Sequence, residues 1–264
     1  MARIYTICSS SSGNSTFIGT RGHGILVDAG CSFRMLKNAL KMIDTDISGI
    51  EAVFITHEHI DHVKALEQIV RHTNIPIFAT VKTAMEMKER NFVPSAAHIY
   101  DARAGYTSAA FEVSCFETSH DAADSVGFKV CYKEECFGVC TDTGVVTAET
   151  EKALLGCRAV LIESNYDEET LRKNPNPRYG PELKRRILSA HGHLSNSDCA
   201  AFAEKLVKSG TRHLILGHLS QENNSPETAF NCTKQYLESK GLFVERDYTL
   251  NVAPVNPGGD YIAV

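Results

Sequence analysis

The sequence predicts an α/β (α+β) protein built as a four-layer αββα sandwich. Apolar runs of strand length alternate with segments of helical spacing, and this alternation occurs twice along the 264 residues. Such an order places helices outside two sheets that pack against each other. No long linker or low-complexity segment divides the chain, so we expect a single domain over residues 1–264.

The composition is that of an ordinary globular protein and argues against several other classes of protein. Hydrophobic residues make up 43% and charged residues 22% of the chain. No run of 18 apolar residues occurs, so we expect no membrane-spanning helix. The N-terminus enters strand-like sequence without a signal-peptide pattern, which predicts a cytoplasmic protein. A net charge of −5 argues against a generally basic nucleic-acid-binding surface but leaves a local basic patch open. Nothing indicates an obligate protein partner.

The cysteines predict reduced core residues rather than a disulfide framework. There are nine of them, an odd number, and no Cys-x-x-Cys pair occurs. Most lie in apolar stretches, as do Cys115, Cys131, Cys140 and Cys157. This usage is typical of a cytosolic protein.

The first third of the chain predicts strands joined by short turns and helices. Alternating or apolar runs predict strands at residues 2–7, 16–18, 24–30, 52–55 and 75–79, and helical spacing predicts helices at 33–43, 63–72 and 83–90. The stretch 8–15 predicts a turn, in which Ser11 and Asn14 could offer donors to a phosphate. Asp28 could be a turn former or an acid that supports a ligand.

The remaining two thirds predict a strand-rich stretch followed by alternating strands and helices. The strands are expected at 110–116, 126–132, 136–140, 159–162 and 213–216. The helices are expected at 147–155, 181–190, 196–209 and 226–240.

The hexapeptide His57-Glu58-His59-Ile60-Asp61-His62 is the most informative stretch. It follows an apolar strand, and binding residues tend to lie on loops at such strand ends. Two imidazoles at i and i+2 can bend around one ion, while Asp61 and His62 can face a second. Neutral imidazole and carboxylate suit zinc, manganese or iron. The alternative is a solvated polar turn.

Three further donors follow later predicted strands. They are His120, Asp142 and His218, each of which could singly be a turn acid or a strand-capping histidine. Together with the hexapeptide they complete two ligand sets. One ion would be held by His57, His59 and His120, and the other by Asp61, His62 and His218. Asp142, with its two carboxylate oxygens, would bridge the pair.

This set of motifs resembles the metallo-β-lactamase superfamily over nearly the whole chain. The hexapeptide, a later Ser-His, a Thr-Asp-x-Gly and a final strand-His are hallmarks of that superfamily. The resemblance implies the αββα metallo-β-lactamase sandwich and two divalent metal ions. Only 22 positions separate His120 from Asp142, and only 76 separate Asp142 from His218. These spacings leave no room for the RNase Z exosite arm or the β-CASP insertion.

Two stretches near the C-terminal third resemble elements of the superfamily's nucleases. They are Glu163-Ser-Asn-Tyr-Asp and Gly192-His-Leu-Ser-Asn. His193 resembles the extra histidine of RNase Z-type enzymes, which is proposed to protonate the leaving oxygen with an acidic partner that Glu163 could match. Over the whole chain the resemblance is to the YycJ/WalJ-type family. It implies a DNA exonuclease that works from the 5′ end, with a link to DNA repair.

A basic run precedes the second of these stretches. Between positions 172 and 186 one acid, Glu182, stands against six bases: Arg172, Lys173, Arg178, Lys184, Arg185 and Arg186. A phosphodiester substrate needs such a counter-charge, although a solvated helix face has the same pattern. We expect Lys184 and Arg186, together with Ser195 and Asn196, to contact the substrate.

These observations predict a dinuclear metal-dependent phosphodiesterase acting through a metal-activated hydroxide, and the resemblance implies that it is a 5′→3′ DNA exonuclease. Asp61 would orient the hydroxide, and His193, held by Glu163, would protonate the departing oxygen. A glyoxalase II-like thioester or lactone hydrolase would use the same metal ligands without His193 or the basic run. A ribonuclease related to RNase Z stays open because the phosphodiester chemistry is shared. A metal-binding module without turnover is the remaining alternative.

Overall fold

The computed structural model describes residues 1–258 and 261–263, and its strands form two sheets. The first sheet consists of β1 (Arg3–Ser10), β2 (Gly13–Thr20), β3 (His23–Val27), β4 (Ile50–Phe54), β5 (Ile77–Ala79), β6 (Ile99–Asp101) and β14 (Ile262–Ala263). Within the described residues its order is β14-β1-β2-β3-β4-β5-β6. The strands from β14 to β3 run antiparallel, and those from β3 to β6 run parallel.

The second sheet has the same mixed organisation. It consists of β7 (Tyr106–Thr107), β8 (Phe111–Glu117), β9 (Val126–Tyr132), β10 (Glu135–Cys140), β11 (Ala159–Glu163), β12 (His213–Gly217) and β13 (Thr249–Val252). The order over the described residues is β13-β12-β11-β10-β9-β8-β7. Strands β7 to β10 pair antiparallel, and β10 to β13 pair parallel.

Helices cover the outer face of each sheet. The helices are α1 (Phe33–Met42), α2 (Ile60–Val63), α3 (Leu66–His72), α4 (Val81–Glu89), α5 (Ala148–Leu154), α6 (Glu168–Lys173), α7 (Pro181–Ile187), α8 (Asn196–Lys208) and α9 (Pro226–Ser239). In the described part of the chain, no helix combines the length and apolar character that crossing a bilayer requires.

Three layers of buried apolar side chains confirm the predicted αββα order. Leu36 of α1 packs with Leu26 under the first sheet, and Phe54 meets Phe128 between the two sheets. A third layer lies between the second sheet and α5, α8 and α9. The middle layer explains why strands of both sheets are apolar on both faces, since each also packs on helices.

Short polar side chains define where the outer helices begin. Ser32, Ser195 and Ser225 each accept a hydrogen bond from a backbone N–H in the first turn of α1, α8 and α9. A hydroxyl at this position satisfies one of the donors that a helix start leaves free. The predicted starts of these helices agree with the structure for this reason.

The structure differs from the predicted elements in four places. The strand expected at 24–30 ends at Val27, and Asp28 follows it in a left-handed conformation. The turn expected at 8–15 is tighter, because β1 and β2 stay paired out to Ser10 and Gly13. The helix expected at 63–72 is divided into α2 and α3 at Lys64 and Ala65. Strands β6, β7, β13 and β14 and helix α6 were not predicted. The four missed strands have two to four residues each, too few for a periodic pattern to emerge.

The prediction that Cys131 is a reduced core residue is wrong. A disulfide joins it to Cys136, with 4.1 Å between the two Cα atoms. Strands β9 and β10 form a tight hairpin in which these two residues lie directly opposite each other. A hairpin pairing of this kind brings two cysteines within bonding distance without a Cys-x-x-Cys motif. Cys115, Cys140 and Cys157 are free, as predicted.

Candidate metal centre and active site

The predicted metal ligands meet where strands of both sheets end. The hexapeptide follows β4 of the first sheet, whereas His120, Asp142 and His218 follow β8, β10 and β12 of the second. The carboxyl ends of β4, β10 and β12 therefore surround one site between the sheets. Edges of this kind are the usual place for ligands in parallel sheets.

Six of the seven predicted ligands form two adjacent groups of donors. One group is His57, His59 and His120, and the other is Asp61, His62 and His218. Within each group the donor atoms all lie within 4.8 Å of one another. These groups coincide with the two ligand sets that the sequence predicts.

Asp142 lies between the two groups. Its Oδ2 is 3.1 Å from His62 Nε2, and its Oδ1 is 3.6 Å from His120 Nε2. The carboxylate thus approaches one histidine of each group. Burial opposes ionisation of Asp142, but the neighbouring imidazoles of His218 and His62 hold its pKa well below the usual range.

The donor set fits divalent metal ions. Among the described residues, Asp142 Oδ2 and His218 Nε2 are buried and have no hydrogen-bond partner. Buried polar atoms are nearly always hydrogen-bonded, so these two potential ligand atoms without a hydrogen bond fit a site that a metal ion would occupy. Imidazole and carboxylate are the ligands of zinc, manganese and iron sites, and the residues can hold such ions.

Each of three ligand imidazoles is fixed through its other nitrogen. His62 Nδ1 donates to Asp28 at 2.8 Å, His218 Nδ1 donates to Glu163 at 2.9 Å, and His120 Nδ1 donates to the Gly192 carbonyl at 3.0 Å. A proton held at Nδ1 leaves the lone pair of Nε2 free for a metal. The protein therefore sets both the tautomer and the orientation of these rings.

Asp28 is the supporting acid, one of the two roles that the sequence left open. It is buried and also accepts hydrogen bonds from the N–H and hydroxyl of Thr56. Burial raises the pKa of Asp28, and the imidazole of His62 opposes that shift. Asp28 thus connects the end of β3 to the hexapeptide.

Three residues at the site have backbone conformations that non-glycine residues rarely adopt. Asp28, Asp142 and His218 have φ angles of 61°, 55° and 54°. Each comes directly or almost directly after a strand, and the left-handed turn redirects the chain towards the centre. Such conformations cost about 1–3 kcal/mol each and cluster at functional sites.

Gly30 allows the hexapeptide to approach the first hairpin. A Cβ atom at this position would overlap the backbone oxygen of Asp61 and lie 2.7 Å from the backbone nitrogen of Asn14. Backbone hydrogen bonds from Ala29 to His62 and from Ala65 to Ala29, both 2.8 Å, hold the two segments together. The close approach requires glycine.

A histidine–glutamate pair lies beside the metal donors. His193 Nδ1 donates to Glu163 Oε1 at 2.7 Å, and the same oxygen accepts from His218. Glu163 is fully buried; burial opposes its ionisation, but His193 and His218 lower its pKa. Burial likewise opposes protonation of His193, yet the Glu163 carboxylate raises the His193 pKa above its usual value.

The donors open onto a cleft of about 240 Å³. The hydroxyl- and amide-bearing residues Ser11, Asn165 and Ser220 line it, and so does His193. The same cleft is lined by Tyr179, Leu183, Arg186 and Ile187, which come from the segment around α7. A substrate in this cleft would contact the metal donors and both groups of side chains.

The predicted substrate contacts divide into two groups. The structure brings Ser11 and Arg186 to the cleft. Asn14 lies beneath it and donates to Asp61 Oδ2 at 3.2 Å, which supports a ligand. Ser195 and Asn196 are buried: the first caps α8, and the second bonds Ser164. Their positions favour a structural role.

Most of the basic run is engaged with other groups. Lys184 donates to the backbone carbonyls of Arg172 and Asn174, each at 2.9 Å, and does not line the cleft. Arg172 and Lys173 pair with acids one turn earlier in α6, and Arg186 pairs with Asp121. Three of the six bases, Arg178, Lys184 and Arg185, have no acidic partner within the described residues, and Lys184 is held by backbone carbonyls instead. The counter-charge is therefore smaller than the sequence indicates.

Several cleft residues were missed by the sequence reasoning, Asp121 and Tyr179 among them. Asp121 follows the ligand His120 and pairs with Arg186, and Tyr179 lines the cleft. Asp121 could have been suspected from its position beside a ligand. No periodicity or motif distinguishes Tyr179 from other loop tyrosines.

Comparison with known proteins agrees with this geometry. Residues 23–219 match the beta-lactamase superfamily domain. The chain is 34% identical over 247 residues to exodeoxyribonuclease YycJ of Bacillus anthracis, covering 93% of this chain and 92% of that protein. It is 32% identical over 246 residues to exodeoxyribonuclease WalJ of Streptococcus pneumoniae, covering 92% and 90%.

A solved structure supports the fold independently. The metallo-β-lactamase fold protein YhfI of Bacillus subtilis superposes with a TM-score of 0.71 over 100% of both chains, at 14% identity. The fold, the donor set and the relatives all lead to one assignment. The chain is a metal-dependent hydrolase of the metallo-β-lactamase superfamily and belongs to the family of the YycJ and WalJ exodeoxyribonucleases.

Proposed function

We propose that this protein is a dinuclear metal-dependent phosphodiesterase that removes nucleotides from DNA in the 5′→3′ direction. The names of its relatives favour DNA as the substrate, and the two donor groups favour two ions. Zinc and manganese suit the donors, and iron is also compatible. A single catalytic domain acting in the cytoplasm, in DNA repair, is part of the same proposal.

The chain's own residues would divide the work of the reaction. Two bound divalent cations would supply Lewis acidity at the phosphate and lower the pKa of water towards neutrality. Asp61, held by Asn14, would bind metal and orient the attacking group. Ser11 would donate to a non-bridging phosphate oxygen. His193 would give its proton to the departing oxygen.

The observation that carries the proposal is the pairing of His193 with Glu163. The carboxylate fixes Nδ1 of the imidazole at 2.7 Å, and the ring lines the cleft beside the metal donors. A leaving alkoxide of DNA needs a proton, whereas the thiolate that leaves a thioester does not. A glyoxalase II-like enzyme has no use for this pair, so the pair favours a phosphodiester substrate.

The test uses end-labelled DNA and RNA of matched sequence, with and without a 5′-phosphate. The protein is reconstituted with zinc or manganese, and S-lactoylglutathione is assayed in parallel. We expect mononucleotides to be released stepwise from the 5′ end of DNA. Intact nucleic acid with rapid thioester cleavage would contradict the proposal, and faster cleavage of RNA would favour a ribonuclease.

A matched pair of variants tests the role of His193. His193→Ala should lower turnover by about 10²–10⁴-fold, the usual contribution of a positioned acid, while bound metal stays unchanged. His98→Ala is the control because His98 is exposed and does not line the cleft. Loss of metal in His193→Ala would instead assign His193 a structural role.

A further inference from the structure

Two groups of residues with different chemistry line the cleft. Ser11, Asn165 and Ser220 offer hydroxyl and amide groups, which suit phosphate oxygens. Tyr179 and Leu183, from the segment around α7, offer apolar surface. Metal ions and hydroxyls account for recognition of a phosphate, but neither explains an aromatic wall beside it.

Tyr179 has no evident structural task. It ends the 3-10 helix Pro177–Tyr179, and its side chain is partly exposed in the cleft. Among the described residues, its ring stacks on no other aromatic or cationic group, and its hydroxyl makes no hydrogen bond. By contrast, Tyr106 bonds Glu51 and Tyr236 bonds Glu204. The face of the Tyr179 ring is therefore available to a ligand.

The surroundings of Tyr179 hold it in place and extend its apolar surface. Asn176 caps the 3-10 helix, and the Tyr179 N–H donates to the Asn176 carbonyl at 2.8 Å. Leu183 and Ile187 lie four positions apart on α7, so their side chains share one helix face. The ion pair between Arg186 and Asp121 ties the same helix to the metal centre.

We propose that Tyr179 stacks on the base of the nucleotide that is being removed, with Leu183 and Ile187 completing the platform. This inference rests on the proposed function and names how the substrate is positioned. Every nucleobase has a π face, so stacking holds any base without reading its identity. An exonuclease that proceeds along DNA of any sequence could use such a contact at each step. Tyr179 is thus a positioning residue.

The test compares two DNA ends that differ only in the base. One single-stranded DNA carries a normal 5′-terminal nucleotide, and the other carries an abasic one, both 5′-phosphorylated. Wild type, Tyr179→Phe, Tyr179→Ala and the control Tyr100→Ala are compared. Tyr100 is an exposed tyrosine on β6 that does not line the cleft. KM and kcat are measured with metal, and DNA affinity is measured by fluorescence anisotropy on metal-free protein.

We expect Tyr179→Ala to raise KM and Kd for the base-bearing end by about 5- to 150-fold, the range for loss of one stacked base, with kcat little changed. The abasic end should bind wild type and Tyr179→Ala equally. Tyr179→Phe and Tyr100→Ala should behave as wild type on both ends.

Two results would overturn the inference while leaving the proposed function intact. In both results wild type degrades DNA. In the first, Tyr179→Ala has the same KM and Kd as wild type on both ends. In the second, its KM and Kd rise by the same factor on the base-bearing and the abasic end. The first result would mean that Tyr179 does not touch the base, and the second that it acts on the phosphate or the fold. Wild type that neither degrades nor binds DNA would refute the proposed function and this inference together.

Discussion

Replacing Glu163 by glutamine tests how the centre is held together. Four donors converge on this buried carboxylate. Oε1 accepts from His193 at 2.7 Å and His218 at 2.9 Å, while Oε2 accepts from the N–H groups of Thr143 at 2.8 Å and Leu194 at 3.3 Å. Glutamine has the same shape but only one acceptor oxygen, so the substitution must leave two donors facing an amino group.

Whether the substitution lowers the free energy of unfolding or the metal affinity depends on which way the new amide points. If its NH₂ faces Thr143 and Leu194, two buried backbone donors lose their acceptor, which costs about 2–6 kcal/mol at about 1–3 kcal/mol each. If it faces His193 and His218 instead, their Nδ1 atoms must accept. The proton of His218 then moves to Nε2, and metal affinity should fall by about 10–100-fold, as for other losses of a supporting partner.

Two measurements separate these outcomes. Urea denaturation of the metal-free protein gives the free energy of unfolding, and competition with a chelator gives the metal affinity. Glu112→Gln is the control, because Glu112 is exposed on β8 and makes no side-chain hydrogen bond or ion pair with any described residue. A free energy of unfolding within about 0.5 kcal/mol of wild type, together with unchanged metal affinity, would refute the reasoning.

Three further predictions concern other parts of the molecule. Asp28→Asn should weaken metal binding by about 10–100-fold in the same chelator assay, because His62 loses its carboxylate, and unchanged affinity would contradict this. Gly30→Ala should lower the free energy of unfolding by about 1–3 kcal/mol or more, because the added Cβ would overlap backbone atoms. Gly180→Ala is the control, because a Cβ there meets nothing closer than 3.9 Å. Equal stability of the two variants would contradict the prediction. Cys131→Ser should lower the free energy of unfolding, measured without reductant, by about 2 kcal/mol, because its disulfide closes a short loop. If wild type unfolds at the same urea concentration with and without reductant, the disulfide contributes nothing.

Much of the fold and the ligand set could be predicted because the signals are local. The apolar runs that became β4, β9 and β11 are long enough to show strand character. His57, His59, Asp61 and His62 lie within six positions, so a single stretch of sequence carries four of the seven donors. The later donors were found because each follows a strand.

The remaining features depend on the tertiary structure. The pairing of Arg186 with Asp121 joins residues 65 positions apart, so the local excess of basic residues overstates the free positive charge. The disulfide of Cys131 depends on hairpin register, and the position of Tyr179 depends on where α7 packs. The left-handed backbone of Asp142 becomes visible only when the chain is folded.

The most direct test of the central claim is a metal titration read out by DNA cleavage. Metal-free protein receives increasing zinc or manganese, and bound metal per chain and release of 5′-nucleotides are measured on the same samples. The account predicts that two ions bind per chain and that cleavage rises to its maximum as the second site fills. Full occupancy without cleavage of DNA, or full cleavage by protein from which all metal has been removed, would contradict it.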